Sequence, residues 1–340
     1  MRAFARRIAP ALLLAILSPI VAEFLLGDFT IRNLDVLVPL VMLYGCGALL
    51  IREIARRSGR GWLAILLLGA AYSLIEEAFL TQSLFNPNYV GQRLLDYGYV
   101  PALGTSLNWS LFVLSIHVVW SIATPILIAE GVAGDRRTQP WLKVPGLTIT
   151  GVLFVLGAAG TAAFSRKASP FVATRAQFLV AGVLVLLAIA AAFMAGSRED
   201  RGERHAARPA APAPRPLAVF VVTLVLAVVF MGTESFARAH GMPASVVVLV
   251  RVSCQAAAAF LIVSWSRRPG WRHGHYLALA AGTTVTYALF GLMAFLQGHT
   301  NLGEATGPVD IAGQVVLASA VLALIWLGRG DDGARRHNVP

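Results

Sequence analysis

Charge is what this sequence has least of. Only 13% of its 340 residues are Asp, Glu, Lys or Arg, about half the share usual in a soluble domain. A water-facing shell around a globular core cannot be made from so few. Cysteine is almost missing: Cys46 and Cys254 both fall inside apolar runs, which excludes a disulfide framework and a zinc-ligand spacing and leaves them as small packing residues. Period-two alternation is absent from the apolar runs, so a β-barrel is a poor alternative. There is no phosphate-binding glycine loop, no HExxH and no Gly-x-Ser-x-Gly, which removes support for a nucleotide-driven machine, a zincin or a hydrolase elbow. No metal site and no cofactor are expected.

What is present is hydrocarbon. Hydrophobic residues make up 57% of the chain, gathered into runs of about twenty, the length that crosses a hydrocarbon core of about 30 Å. Backbone groups in lipid must bond within their own segment, so the runs predict helices. Spans are expected near residues 8–27, 34–51, 61–81, 109–129, 145–164, 174–195, 217–235, 244–263, 275–296 and 310–327. The fold class is therefore an all-α polytopic transmembrane bundle of about ten spans.

The arginines test that arrangement independently, because cytoplasmic loops carry the excess of Lys and Arg. Basic clusters at Arg2–Arg7, Arg52–Arg60, Arg136–Lys143, Arg198–Arg215, Arg267–Arg272 and Arg329–Arg336 hold 21 of the 28 basic residues, all on one side. An even number of spans with both termini in the cytoplasm follows. The net charge of +11 is then explained by topology and by contact with anionic lipid headgroups; with no loop long enough for a soluble module, nucleic acid is not a partner. Arg6 and Arg7 before a long apolar run suggest a retained signal anchor. The preference for Arg over Lys, 26 to 2, with abundant Ala, Gly and Val, suggests a GC-rich bacterial genome and hence a bacterial inner membrane.

Residues 197–216 form the one evident linker, rich in Pro, Ala and charge and unable to bury a core. It separates a first membrane bundle, residues 1–196, from a second, residues 217–328, and a cytoplasmic tail, residues 329–340. An offset of 211 residues aligns spans 1–4 with spans 7–10: Glu23 falls on Glu234, Arg56 and Arg57 on Arg267 and Arg268, and Gly59 on Gly270. Two explanations stand, a parallel repeat about an axis along the membrane normal and chance alignment of ordinary topology-setting arginines.

An ionisable side chain inside the bilayer costs at least about 2.5–3.5 kcal/mol, so each one calls for a reason. The third span carries Glu76 and Glu77, with Ser73, Glu77 and Thr81 on one helical stripe. The fourth carries Ser110, His117, Ser121 and Thr124 on one face. Two adjacent carboxylates and a histidine, all in the outer leaflet on this topology, suit a proton carrier or a general acid/base. Glu23 and Glu234 are candidate rim members of the same cluster. Glu53 and Glu130, at cytoplasmic ends, are expected to pair with Arg56, Arg57 or Arg137, while His273, His275, His299, Asn301 and Glu304 are expected to be solvated. The segment Leu84–Leu107 is long enough for a lid or re-entrant piece.

Glu76-Glu77 and the following His117 resemble the first two motifs of the CPBP family, the intramembrane peptidases related to CAAX-processing enzymes, whose pattern is Glu-Glu-x-x-x-Arg, then Phe-x-x-x-His, then His-x-x-x-Asn or Asp. Here the arginine position holds Thr81, the phenylalanine position holds Val113, and no third histidine occurs in the next two spans. The resemblance implies a glutamate-activated water attacking a peptide bond, with Glu76, Glu77 and His117 catalytic. The competing expectation is proton-coupled or small-molecule transport, with Glu76, Glu77, His117, Glu23, Glu234, Ser73 and Ser121 binding the substrate or the proton in a crevice between helices. A lipid-binding or assembly role is the third. Transport is preferred, with membrane lipids and a small-molecule or peptide substrate as partners.

Overall fold

The computed structural model describes residues 2–194 and 211–329, so most of the linker and the tail lie outside the described residues. Helix α1 runs from Arg2 to Pro19 and continues as a π-helical turn, Ile20–Phe24. It is followed by α2 (Ile31–Arg57), α3 (Trp62–Leu80), α4 (Leu107–Val132), α5 (Val144–Ala168), α6 (Arg175–Met194), α7 (Pro216–Ala239), α8 (Ala244–Ser266), α9 (His273–Leu296) and α10 (Pro308–Leu327). Among the described residues nine helices are long and apolar enough to cross a membrane, and the apolar stretch Ile8–Phe24 is a shorter tenth. Each expected span thus corresponds to a helix.

The helix ends follow from local chemistry. Thr30 caps α2 by accepting from Arg32 N at 3.1 Å, while Asn33 Oδ1 accepts from Thr30 N at 2.9 Å. Ser106 caps α4 through Trp109 N. Pro216 and Pro308 begin α7 and α10, where a missing N–H costs nothing. After α2 the chain turns at Gly59, whose φ of +67° is a left-handed conformation suited to glycine.

Lipid offers no hydrophobic force between helices, so association rests on close approach and on polar contacts. Gly45 of α2 lies against the Ala15 backbone of α1, and a Cβ on Gly157 of α5 would stand 2.7 Å from the Met42 carbonyl carbon of α2. Helix α4 is the axle, packing against α1, α3, α8, α9 and α10, whereas α5 and α6 lie at the periphery against α2 and α3. At the arginine-rich end Arg52, fully buried, bonds Glu53 at 2.5 Å and Glu130 at 3.1 Å and stacks over Trp141, and Arg56 reaches Glu130 at 2.7 Å. Glu53 also accepts from the backbone of Trp141 and Leu142. The Arg56–Glu130 pair and the 3.5 Å Arg57–Glu53 pair are the ones expected from the sequence, whereas those of Arg52 are not; together they lock α2 to α4 and to the chain entering α5.

One expectation needs revision. His273 and His275 are buried rather than solvated, and His275 bonds back to Arg272 and to the Pro214 carbonyl because it lies in the first turn of α9 and helps cap it. The two quartets related by the 211-residue offset do not choose the same neighbours: α1 packs mainly on α2 and α4, while α7 packs mainly on α8 and α9. The segment between α3 and α4 contains a short antiparallel hairpin, β1 (Tyr99–Val100) with β2 (Thr105–Ser106), and folds over that end of α3.

Candidate functional site

Among the described residues four helices contain a π-helical stretch: Ile20–Phe24 in α1, Val41–Gly45 in α2, Glu76–Leu80 in α3 and His117–Ala123 in α4. Each holds one or more members of a single polar cluster: Glu23, Tyr44, Glu76 with Glu77, and His117 with Ser121. A π turn adds one residue to a helix and so rotates the side chains around it; such turns are rare and concentrate at functional sites. Four on four mutually packed helices build this site.

Glu77, His117 and Glu76 are buried, with 5%, 6% and 2% of their surface exposed, and this depth decides that none reaches lipid headgroups. His117 Nε2 lies 2.8 Å from Glu77 Oε1. Its Nδ1 lies 3.2 Å from Ser121 Oγ and 3.5 Å from Glu76 Oε2. On the far side of Glu77, Oε2 accepts from Thr81 at 3.1 Å and from Ser83 in a short hydrogen bond. Trp109 in turn donates to Ser83 at 3.2 Å. The Glu77 carboxylate is therefore tied at both oxygens.

Glu76 is the opposite case. Its Oε2 and the Tyr72 hydroxyl are both buried and close no hydrogen bond, although the two groups interact electrostatically. A buried polar atom left so is costly and marks a place built for something else. The Tyr44 ring stacks on the His117 imidazole at 5.9 Å, with Tyr72 edge-on at 6.4 Å, and Tyr44 also interacts with Glu23 and Glu76.

The triad is sealed, whereas Glu23 and Asp28, on the side of the turn between α1 and α2, are half-buried. Burial pushes the Asp28 carboxyl up to about 6, partly offset by the hydrogen bond from Asn301 at 3.0 Å. In the loop over the site, burial also raises the Tyr89 phenol.

The structure thus joins Glu76, Glu77, His117, Ser121 and Glu23, and leaves two expected members outside. Glu234 pairs with Arg238 at 2.9 Å and Arg251 at 3.3 Å and accepts from Asn108 at 2.9 Å, because α7 meets α8 and the start of α4 rather than α2. Ser73 donates to Ala70 of its own helix at 2.9 Å. Ser110 and Thr124 also leave the expected stripe, bonding Thr105 and Thr283, since the π turn between them breaks the 3.6-residue period. Tyr72 stands four residues before Glu76 on the same helical stripe, whereas Tyr44, Ser83 and Asp28 are additions that no spacing in the sequence signals.

Chemically the cluster offers two carboxylates and an imidazole, one carboxylate fixed and the other free. One donor atom from each of Glu76, Glu77 and His117 lies within 4.8 Å of the other two, so the three could hold a metal ion. Among the described residues no second histidine or asparagine bonds to Glu76.

Comparison with known proteins places the whole bundle in one group. The model of a family described as an uncharacterized membrane protein family matches residues 12–330. The chain belongs to that family. The match runs across both bundles and the linker. No curated protein and no solved structure matches the chain. The chain is a multi-pass membrane protein.

Proposed function

We propose that the protein is a transporter of a small cationic solute, with Glu76, Glu77 and His117 as the binding centre and Glu23 and Asp28 at its mouth. The observation that carries this reading is the set of four π-helical turns around one buried acidic cluster. A packing cluster needs no such departure from the α-helix, whereas a site that must admit and release a cargo needs unsatisfied groups held by deformable backbone. Glu76 supplies the unsatisfied group and Glu77 the fixed one.

The arginine-rich loops support a cytoplasmic location for that end of the bundle and for both termini in a bacterial inner membrane, with anionic lipids against the arginines. The mouth at Asp28 then faces outward.

The test is transport current in proteoliposomes across a panel of small inorganic cations and amines, recorded for the wild type and Glu76→Gln. Current in the wild type and none in Glu76→Gln, at equal yield and melting temperature, supports the reading. Equal currents in the two overturn it.

A second reading, intramembrane peptidase, is favoured by the 3.5 Å approach of Glu76 Oε2 to His117 Nδ1, a separation across which a carboxylate and an imidazole could share an attacking water. Under it, wild-type protein cleaves membrane-segment peptides, Glu76→Gln does not, and no solute current appears.

A further inference from the structure

We infer that Glu76, Glu77 and His117 bind one divalent transition-metal ion, and that this ion is the cargo; the second clause rests on the transport reading, the first does not. The argument starts from the imidazole. With its ring proton on Nε2, His117 donates to Glu77 Oε1 at 2.8 Å, which leaves a lone pair on Nδ1. That lone pair accepts from the Ser121 hydroxyl at 3.2 Å, and Glu76 Oε2, an oxygen that closes no hydrogen bond, lies 3.5 Å from the same nitrogen. Two electron-rich atoms this close in a buried site call for a proton or a metal ion between them, and a metal ion takes the Nδ1 lone pair once Ser121 turns its hydroxyl aside.

The spacing suits a metal. Bonds of about 2.0–2.2 Å to nitrogen and carboxylate oxygen in tetrahedral geometry separate the donors by roughly 3.4 Å. The Nδ1 to Oε2 distance of 3.5 Å meets that without movement. Glu77 has a carboxylate oxygen within 4.8 Å of both and spare lone pairs beyond its hydrogen bonds, so a small rotation makes it the third ligand. Its bond to Nε2–H also orients the ring, as carboxylates commonly do for metal-bound histidine.

The second observation is independent of the acidic pair. Tyr72 is 5% exposed, and its buried hydroxyl closes no hydrogen bond of good geometry while interacting with Glu76. It is placed to hold a water on the ion. Charge supplies the remaining reason: a neutral imidazole with two carboxylates carries −2, which a divalent ion cancels in a low-dielectric site. Mixed imidazole and carboxylate donors, three or four in number, select Zn²⁺, Mn²⁺ or Fe²⁺ over Ca²⁺ and Mg²⁺, which ask for more oxygen ligands.

The experiment uses chelator-stripped full-length protein in nanodiscs, titrated with Co²⁺ by visible absorption and with Zn²⁺ in competition, with stoichiometry from elemental analysis. One equivalent with a low-coordinate Co²⁺ spectrum is expected, weakened at least about 100-fold in Glu76→Gln and His117→Gln. Ser73→Ala, whose hydroxyl serves only its own helix, should bind as the wild type does. Melting curves confirm that each variant is folded, and Glu76→Gln keeps the test decisive if His117→Gln does not fold.

Absence of stoichiometric binding to folded wild type overturns the inference. So does binding unchanged in Glu76→Gln, which would place the metal on other side chains. Metal uptake by wild-type proteoliposomes supports both parts. Binding without any current leaves the metal site standing and removes the transport reading; current for other cations without metal binding does the reverse.

Discussion

The two adjacent glutamates differ in structure, and stability can measure the difference. Glu77 accepts from His117, Thr81 and Ser83, whereas Glu76 Oε2 closes no hydrogen bond of good geometry and has only the Tyr44 and Tyr72 hydroxyls near its carboxyl group. Truncating either to alanine removes the same atoms, so the cavity terms are alike and the gap between the variants isolates the hydrogen bonds. Removing one partner of a buried charged pair costs roughly 3–5 kcal/mol, since the groups left behind are desolvated and unpaired. Glu77→Ala should be less stable than Glu76→Ala by about that amount. With an unfolding entropy of about 2.1 cal/mol/K per residue over 340 residues, the gap is roughly 4–7 °C. Tryptophan fluorescence melts in detergent with a chelator present would read it, Trp109 being bonded to Ser83 of the same network. Equal melting temperatures, or the reverse order, would refute the assignment of Glu77 as the fixed carboxylate and Glu76 as the free one.

Three further outcomes are expected. The Asp28 carboxyl is raised from 3.8 to about 6, so the folded state favours its protonated form; the stability this adds is complete below about pH 3.8 and is lost as pH rises through about 6. The loss is at most about 3 kcal/mol, an upper figure for a half-buried group, and melts of Asp28→Asn across that window should lack the slope the wild type shows. Within α5, Gly157→Ala should cost about 1–3 kcal/mol by pressing on the Met42–Leu43 backbone, while Gly151→Ala and Gly160→Ala, with no atom within 4 Å of the new methyl, should melt as the wild type does. Glu130→Ala, which strands Arg56 and leaves Arg52 with Glu53 as its one carboxylate partner, should cost about 3–5 kcal/mol, whereas Arg93→Ala, losing only an exposed pair with Asp96, should produce no measurable change in melting temperature.

The sequence by itself determined the ten helices, the clustering of arginine at one end, the Glu53 and Glu130 ion pairs and the meeting of Glu76, Glu77 and His117. All of these depend on short-range rules: twenty apolar residues make a span, charges sit where spans end, and polar residues on successive antiparallel helices at similar depth face each other. Tertiary structure alone decided that Glu234 belongs to Arg251 and not to the site, that Ser73 turns back on its own helix, and that Tyr44, Ser83 and Asp28 complete the cluster. It also decided that the two quartets pair differently despite their aligned glutamates. For α1 to α4, the helices of the cluster, the reason lies in the π turns. Reading faces from sequence assumes 3.6 residues per turn, and one inserted residue rotates everything beyond it; whether a helix accepts that insertion depends on what its neighbours offer in return, which no single segment encodes.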